Sequence, residues 1–229
     1  MYKRQGNEVV VSYKWHDLPP GSGLLDLELG RESELTHYDW ITDTTVHDGG
    51  AWAYMKNSKY KTTTDLVHYL IDNVSKNGYM LLNIGPKPDG TIPEEDKNLL
   101  EGIGNWLDVN GEAIFETETW DQYGEGPTKM NEAGPFSDNR AKLIYTAKDF
   151  RFTTKDNFLY ATALGWPSKD FTIESIYKLF DNEIERVELL GSTDKVEWKH
   201  TRDGLHITRP DNKPCEHAYS FKITRKEYL

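Results

Sequence analysis

The sequence predicts an α/β protein in two parts, a parallel β/α region followed by a small antiparallel β-sandwich. Two observations carry this. Between Glu8 and Thr117, apolar runs of strand length alternate with segments of helical period, in the order strand, helix, strand, helix, strand. From Phe150 onward the period drops to two: Phe150 and Phe152, Val196 and Trp198, Leu205 and Ile207, then Tyr219, Phe221 and Ile223 each alternate with polar residues.

EVVVSYK (Glu8–Lys14) has three consecutive valines, as a buried parallel strand requires. DLPPGSG (Asp17–Gly23) is a loop by composition, and LLDLELG (Leu24–Gly30) follows it. Thr62 to Lys76 reads as a helix, with Leu66, Val67, Leu70, Ile71 and Val74 on one face and an N-cap from Thr62, Thr63 or Thr64. Tyr79–Ile84 is the next strand, and it runs straight into the loop GPKPDG. A second helix is expected from Pro93 to Val109. Glu94, Glu95 and Asp96 complement its dipole, and Leu99, Leu100, Ile103, Trp106 and Leu107 form its buried face. Gly111 should stop it, and EAIFET (Glu112–Thr117) reads as another short strand. The irregular text from Trp120 to Lys142 reads as a linker or wrapping loop.

A net charge of −11 repels phosphate backbones, which argues against a nucleic-acid partner. No apolar run reaches the ~20 residues of a membrane helix, so no membrane partner is expected. The single Cys215 rules out an intrachain disulfide and any multi-cysteine metal site. His37 and His47 lack metal-ligand spacing, and no phosphate-binding glycine loop is present, so neither metal nor cofactor is expected. Residues 1–5, MYKRQ, match the translated end of a sequencing-library transposon and are expected to be an adapter scar. A missing signal peptide then carries no information about targeting.

Longer segments carry a resemblance. VSKNG, LLNIGPKPDGTIP and NGEAIF occur in this order within Leu66–Trp120, preceded by LPPGSGLLDLELGR and DWITDTT…AWAY and followed by YGEGPTK, FRFTTKD and LGWP. Together they resemble the α-L-fucosidases of glycoside hydrolase family 29. The resemblance implies a TIM-like (β/α) barrel whose N-terminal half is missing, then a β-sandwich. The implied division is 6–118 for the barrel half, 119–142 for a linker and 143–229 for the sandwich. It further implies a retaining exo-glycosidase that removes terminal α-L-fucose from a fucosylated oligosaccharide or glycoconjugate, periplasmic or secreted in its full-length form. The family's nucleophilic Asp ends an earlier barrel strand, upstream of this chain, so the chain alone is expected to be inactive.

By the same resemblance, Glu28 of LDLELGR stands where many members carry the Glu of an ERG motif as general acid/base. Leu29 departs from the motif's Arg, and an exposed loop Glu can equally be just solvated. Trp52 of AWAY matches a family aromatic that packs near the fucose methyl, a task suited to a flat apolar ring; a core tryptophan is the other reading. Trp40 and Tyr54 are further candidates for lining the pocket, with core packing as their default. Asn83 and Gly85 are read as structural, Gly85 allowing a sharp turn and Asn83 tying loops by hydrogen bonds. The rival function is carbohydrate binding without catalysis, favoured by the altered ELG, WIT and AWAY positions.

Overall fold

The computed structural model describes residues 10–14, 18–19, 21–139 and 142–226. The expected scar, together with Glu8, Val9, Asp17 and Pro20 of the first expected strand and loop, lies outside the described residues. The valine run is not the buried strand expected: Val10 and Val11 precede the first observed strand and are exposed. Strands β1 (Ser12–Lys14), β2 (Leu24–Asp26), β3 (Trp40–Thr45) and β4 (Gly78–Asn83) form one parallel sheet in chain order. Helix α1 (Thr63–Ser75) crosses from β3 to β4, and α2 (Glu94–Asn110) follows β4. This is the β/α succession expected of a partial barrel.

The helices form for the reasons their sequences give. Thr62 caps α1 through a reciprocal box with Asp65, and Leu66, Val67 and Ile71 are buried on the predicted face. In α2, Leu99, Ile103 and Trp106 are buried, but Leu100 is exposed. One residue beyond Leu99, it is rotated ~100° away from the core stripe. EAIFET is not a strand. The chain leaves α2 through a 3-10 turn at Gly111–Ala113, and the N–H groups of Ile114 and Phe115 both bond to the Gly111 carbonyl at 3.0 and 2.8 Å. Ile114 drops into the helix core while Phe115 faces solvent, so the apolar run reflects a packed turn rather than a pleat.

The sandwich pairs a five-stranded antiparallel sheet with a three-stranded one. The larger has the order β5 (Glu118–Glu125), β6 (Phe150–Lys155), β7 (Phe158–Ala163), β12 (Tyr219–Arg225), β9 (Ile184–Leu189). The smaller is β10 (Trp198–Thr201), β11 (Gly204–Ile207), β8 (Phe171–Ile173). Phe152, Ala161, Phe221 and Ile223 meet Ile173, Leu205 and Ile207 in a closed core. The stretch read as a linker therefore begins with a strand. Its pairing to β6 slips between Thr119 and Gly124, and that irregularity hides the strand's period.

The two parts are packed together. Trp106 Nε1 donates to the Ala218 carbonyl at 2.9 Å, and Asn110 Oδ1 accepts the Ser220 N–H at 3.2 Å. Beside this joint lies a buried ionic hub. Asp72 of α1 meets Arg151 Nε at 2.6 Å, Lys76 Nζ at 2.9 Å and Arg31 Nη1 at 3.3 Å, and Asp138 sits 3.2 Å from Arg31 Nε. Burial alone would raise the Asp72 pKa, but the three cations outweigh it and hold the carboxyl far below the usual range.

Candidate active site

In a parallel β/α sheet the strands' C-terminal ends carry the functional loops. Pairing fixes which side chains share the face turned away from the helices. Lys14 lies beside Asp26, Asp26 beside Ile41, Ile41 beside Tyr79, and two residues on Asp43 lies beside Leu81. The alternation in LLDLE does the sorting. Leu25 and Leu27 pack with Trp40 on the helix side, leaving Asp26 and Glu28 for the opposite face.

There Lys14 Nζ gathers three carboxylates: Glu28 Oε2 at 2.8 Å, Asp43 Oδ2 at 3.4 Å and Asp26 Oδ2 at 3.5 Å. Desolvation pulls the Lys14 pKa down, but its bond to Glu28 and the charges of Asp43, Asp26 and Glu28 prevail and raise it. Asp26 is also raised, first by burial, then by the charge of and a hydrogen bond with Asp43, against the opposing pull of Lys14. Glu28 itself is half-buried, with 27% of its side chain exposed, so it is both held and reachable.

The turn that carries Glu28 is clamped from both sides. Leu27 and Leu29 donate to the Ile41 and Asp43 carbonyls at 2.8 and 3.0 Å. From the other side Phe136 and Asp138 donate to the Glu28 and Leu29 carbonyls at 2.7 and 3.0 Å. Gly30 makes this possible, since a Cβ there would lie 2.1 Å from the Gly134 carbonyl oxygen. Leu29 takes φ +47°, a left-handed conformation that turns the chain out of the strand.

The neighbouring rim is the loop after β3. Asn83 Nδ2 donates to the Trp52 carbonyl at 2.8 Å, and Thr45 Oγ1 donates to the Ala51 carbonyl at 2.8 Å. Gly85 lies under this loop. A Cβ there would come within 2.8 Å of the Tyr54 nitrogen and 3.0 Å of His47 Nε2. The Gly85 N–H is taken by Asp96 of α2 at 3.0 Å. Asn83 thus ties a loop to the strand end, as read from the sequence, whereas Gly85 serves close packing under the loop: its φ is not in the left-handed region a special turn would need. Asp96 does more than complement a dipole: it ties the rim to α2.

Comparison with known proteins decides the family. The alpha-L-fucosidase family model matches residues 1–112, and the alpha-L-fucosidase C-terminal domain model matches residues 142–224. The chain belongs to the alpha-L-fucosidase family. It is 31% identical over 198 residues to plasma alpha-L-fucosidase of Pongo abelii and 29% identical over 203 residues to tissue alpha-L-fucosidase of Rattus norvegicus. These alignments cover 83% and 85% of the chain but 38% and 39% of the relatives, so the chain spans about two fifths of their length. Among solved structures, Thermotoga maritima alpha-fucosidase in complex with fucose superposes with a TM-score of 0.72 at 26% identity, covering 97% of this chain and 46% of that one. Its complex with a mechanism-based inhibitor gives 0.73 at 25% identity, covering 97% and 47%.

Within this fucosidase sheet the candidate residues separate. Glu28, Trp52 and Tyr54 all stand on loops at the C-terminal rim, and Trp52 is 37% exposed. Trp40 does not. It begins β3 at the opposite end, is fully buried, and spends its indole N–H on the Lys76 carbonyl at 3.1 Å. It offers no surface to a sugar, and core packing accounts for it. Sequence reading missed Lys14, Asp26 and Asp43. The acidic alternation D-x-E in LLDLE was a usable signal for Asp26, whereas Lys14 meets its partners only through strand pairing.

Proposed function

We propose that this chain supplies the general acid/base and part of the fucose-binding rim of a retaining α-L-fucosidase acting on fucosylated oligosaccharides or glycoconjugates. The observation that carries the reading is Glu28, held half-buried at the C-terminal rim by Lys14 and flanked on the next loop by Trp52. The fold likeness to a Thermotoga maritima enzyme in complex with fucose supports the substrate class.

In the first step an Asp upstream of this chain attacks the anomeric carbon, while Glu28 gives its proton to the departing glycosidic oxygen. In the second, Glu28 takes a proton from water as the water attacks the same carbon, freeing fucose and regenerating the Asp carboxylate. Lys14 holds Glu28 in place, and Trp52 presents a ring face to the sugar's apolar edge.

The test uses two proteins. The 229-residue chain should release no nitrophenol from p-nitrophenyl α-L-fucoside. In a protein extended upstream to include the nucleophile strand, Glu28→Ala should cut turnover of an unactivated fucoside by about 10²–10⁴-fold. Added azide should restore turnover of an activated one, because it needs no general base. Turnover by the chain alone, or an active Glu28→Ala variant, overturns the assignment.

A further inference from the structure

One cavity of about 570 Å³ lies in the sandwich, and none of its lining residues belongs to the parallel sheet. Its size is that of a small-ligand site, typically about 300–1,000 Å³. One wall is the segment between β8 and β9, where Tyr177, Leu179 and Phe180 are 50%, 73% and 50% exposed. This segment is not a loose loop. Glu125 accepts the N–H groups of Glu174 and Ser175 at 3.1 and 2.6 Å. Lys178 donates to the Thr201 carbonyl at 2.8 Å, and the Glu183 carboxylate accepts the N–H groups of Leu179 and Phe180. The chain holds an apolar strip outward on a fixed scaffold, and such strips mark binding surfaces.

The remaining walls are polar in a particular way. Trp120 contributes a third, half-buried ring, and Asp121 and Asp156 bring exposed carboxylates. His200 closes the wall with only 9% of its side chain exposed. Burial lowers the His200 pKa, against the Glu183 charge and backbone hydrogen bonds with Ile176 and Tyr177.

These features narrow the ligand. An anion would meet Asp121, Asp156 and Glu183 against only Arg225 and Lys226. A purely apolar molecule would strip water from those carboxylates without replacing its hydrogen bonds. A neutral ring with one apolar face and several hydroxyls satisfies both kinds of wall. We propose that this cavity is a saccharide-binding site for neutral pyranose units, with Tyr177 and Phe180 stacking on the ring and Asp121 and Asp156 accepting its hydroxyls.

The test titrates the 229-residue chain with L-fucose, D-galactose, N-acetyl-D-glucosamine, a neutral lactose-based trisaccharide and its sialylated analogue. Saturation-transfer NMR and calorimetry follow binding. At least one neutral saccharide should bind with 1:1 stoichiometry and more tightly than the sialylated one. The exposed double variant Tyr177→Ala/Phe180→Ala should weaken it about tenfold or more. Asp121→Ala should weaken it independently of any change to the apolar wall. Leu100→Ser, exposed on α2 and outside this cavity, should leave this binding unchanged, while Trp52→Ala reports any binding at the barrel rim and so separates the two readings. No binding of any neutral saccharide, preference for the sialylated analogue, or affinity lost only in Trp52→Ala overturns the proposal.

Discussion

The two regions of this chain, the parallel sheet with its helices and the sandwich, treat their apolar residues differently. In the sandwich, side chains such as Phe152, Phe221 and Ile223 are sealed between two sheets. In the parallel sheet, one face packs against α1 and α2, while the opposite face leaves Tyr79 and Leu81 more than half exposed beside the Lys14 cluster. The first region completes its core from its own strands. The second has a finished back and an open front, and the open front carries the carboxylates. Where the molecule spends its packing is therefore not where it keeps its chemistry.

The largest test of this contrast strikes the hub that joins the regions. Asp72→Asn leaves Arg31, Lys76 and Arg151 buried against a neutral amide, a loss of about 3–5 kcal/mol for a broken buried pair. Urea unfolding followed by tryptophan fluorescence should show one transition moving to lower denaturant. Two separated transitions in the variant would mean the regions fold independently and the hub merely docks them. Because the folded Asp72 pKa is depressed, its contribution is complete above the unfolded value of ~4 and is lost only as acid carries the pH below that.

The hub also marks the limit of what the sequence made legible. The helices follow from periodicity because their burial is one-sided, and β4 shows in the sequence only as an apolar run of strand length. In β6 the prediction placed Phe150 and Phe152 inside and Arg151 and Thr153 outside, yet all four are buried. Thr153 bonds to the Ala113 carbonyl at 2.8 Å, and Arg151 reaches Asp72 from 79 residues away. A period-two pattern reports one covered face; the second is covered by another part of the chain that no local window contains. The same holds at the site. Glu28 and Trp52 were found through a resemblance, whereas Lys14 reaches Glu28, Asp26 and Asp43 through strand register, which residue spacing does not encode. The strand β5 hid for a local reason: its bulge breaks the very alternation by which strands are read.

A smaller effect is expected at the joint itself, with pH. His68 is buried, its Nε2 donates to the His217 carbonyl at 2.9 Å, and its ring meets Tyr145 edge-on. Burial lowers its pKa, against the opposing help of that hydrogen bond and the Asp65 charge. Below about pH 6.5 the unfolded chain thus binds more protons than the folded one. Stability should be level above about pH 7.5 and fall on acidification through 6.5, by at most about 1.4 kcal/mol per pH unit for this one group. His217 and His200, also lowered by burial, act in the same direction. Measured between pH 5.5 and 7.5, His68→Gln should flatten part of the slope. An unchanged slope assigns the acid sensitivity to the other histidines.

The smallest effect on stability should come from the open front, and that is its diagnostic value. Leu81 contributes a mostly exposed side chain, so Leu81→Ser should change the unfolding free energy by no more than about 0.5 kcal/mol. Self-association should respond far more. Tyr79, Leu81 and the exposed Val10 and Val11 form an apolar face next to parallel strand edges, the kind of surface through which chains stick to one another. Size-exclusion and light scattering of Tyr79→Ser/Leu81→Ser should therefore show less aggregation at unchanged unfolding midpoint. A large drop in the midpoint would place these residues in a core that this fold does not show. Unchanged aggregation would move the sticky surface elsewhere, with the strip of Tyr177, Leu179 and Phe180 next in exposed apolar character.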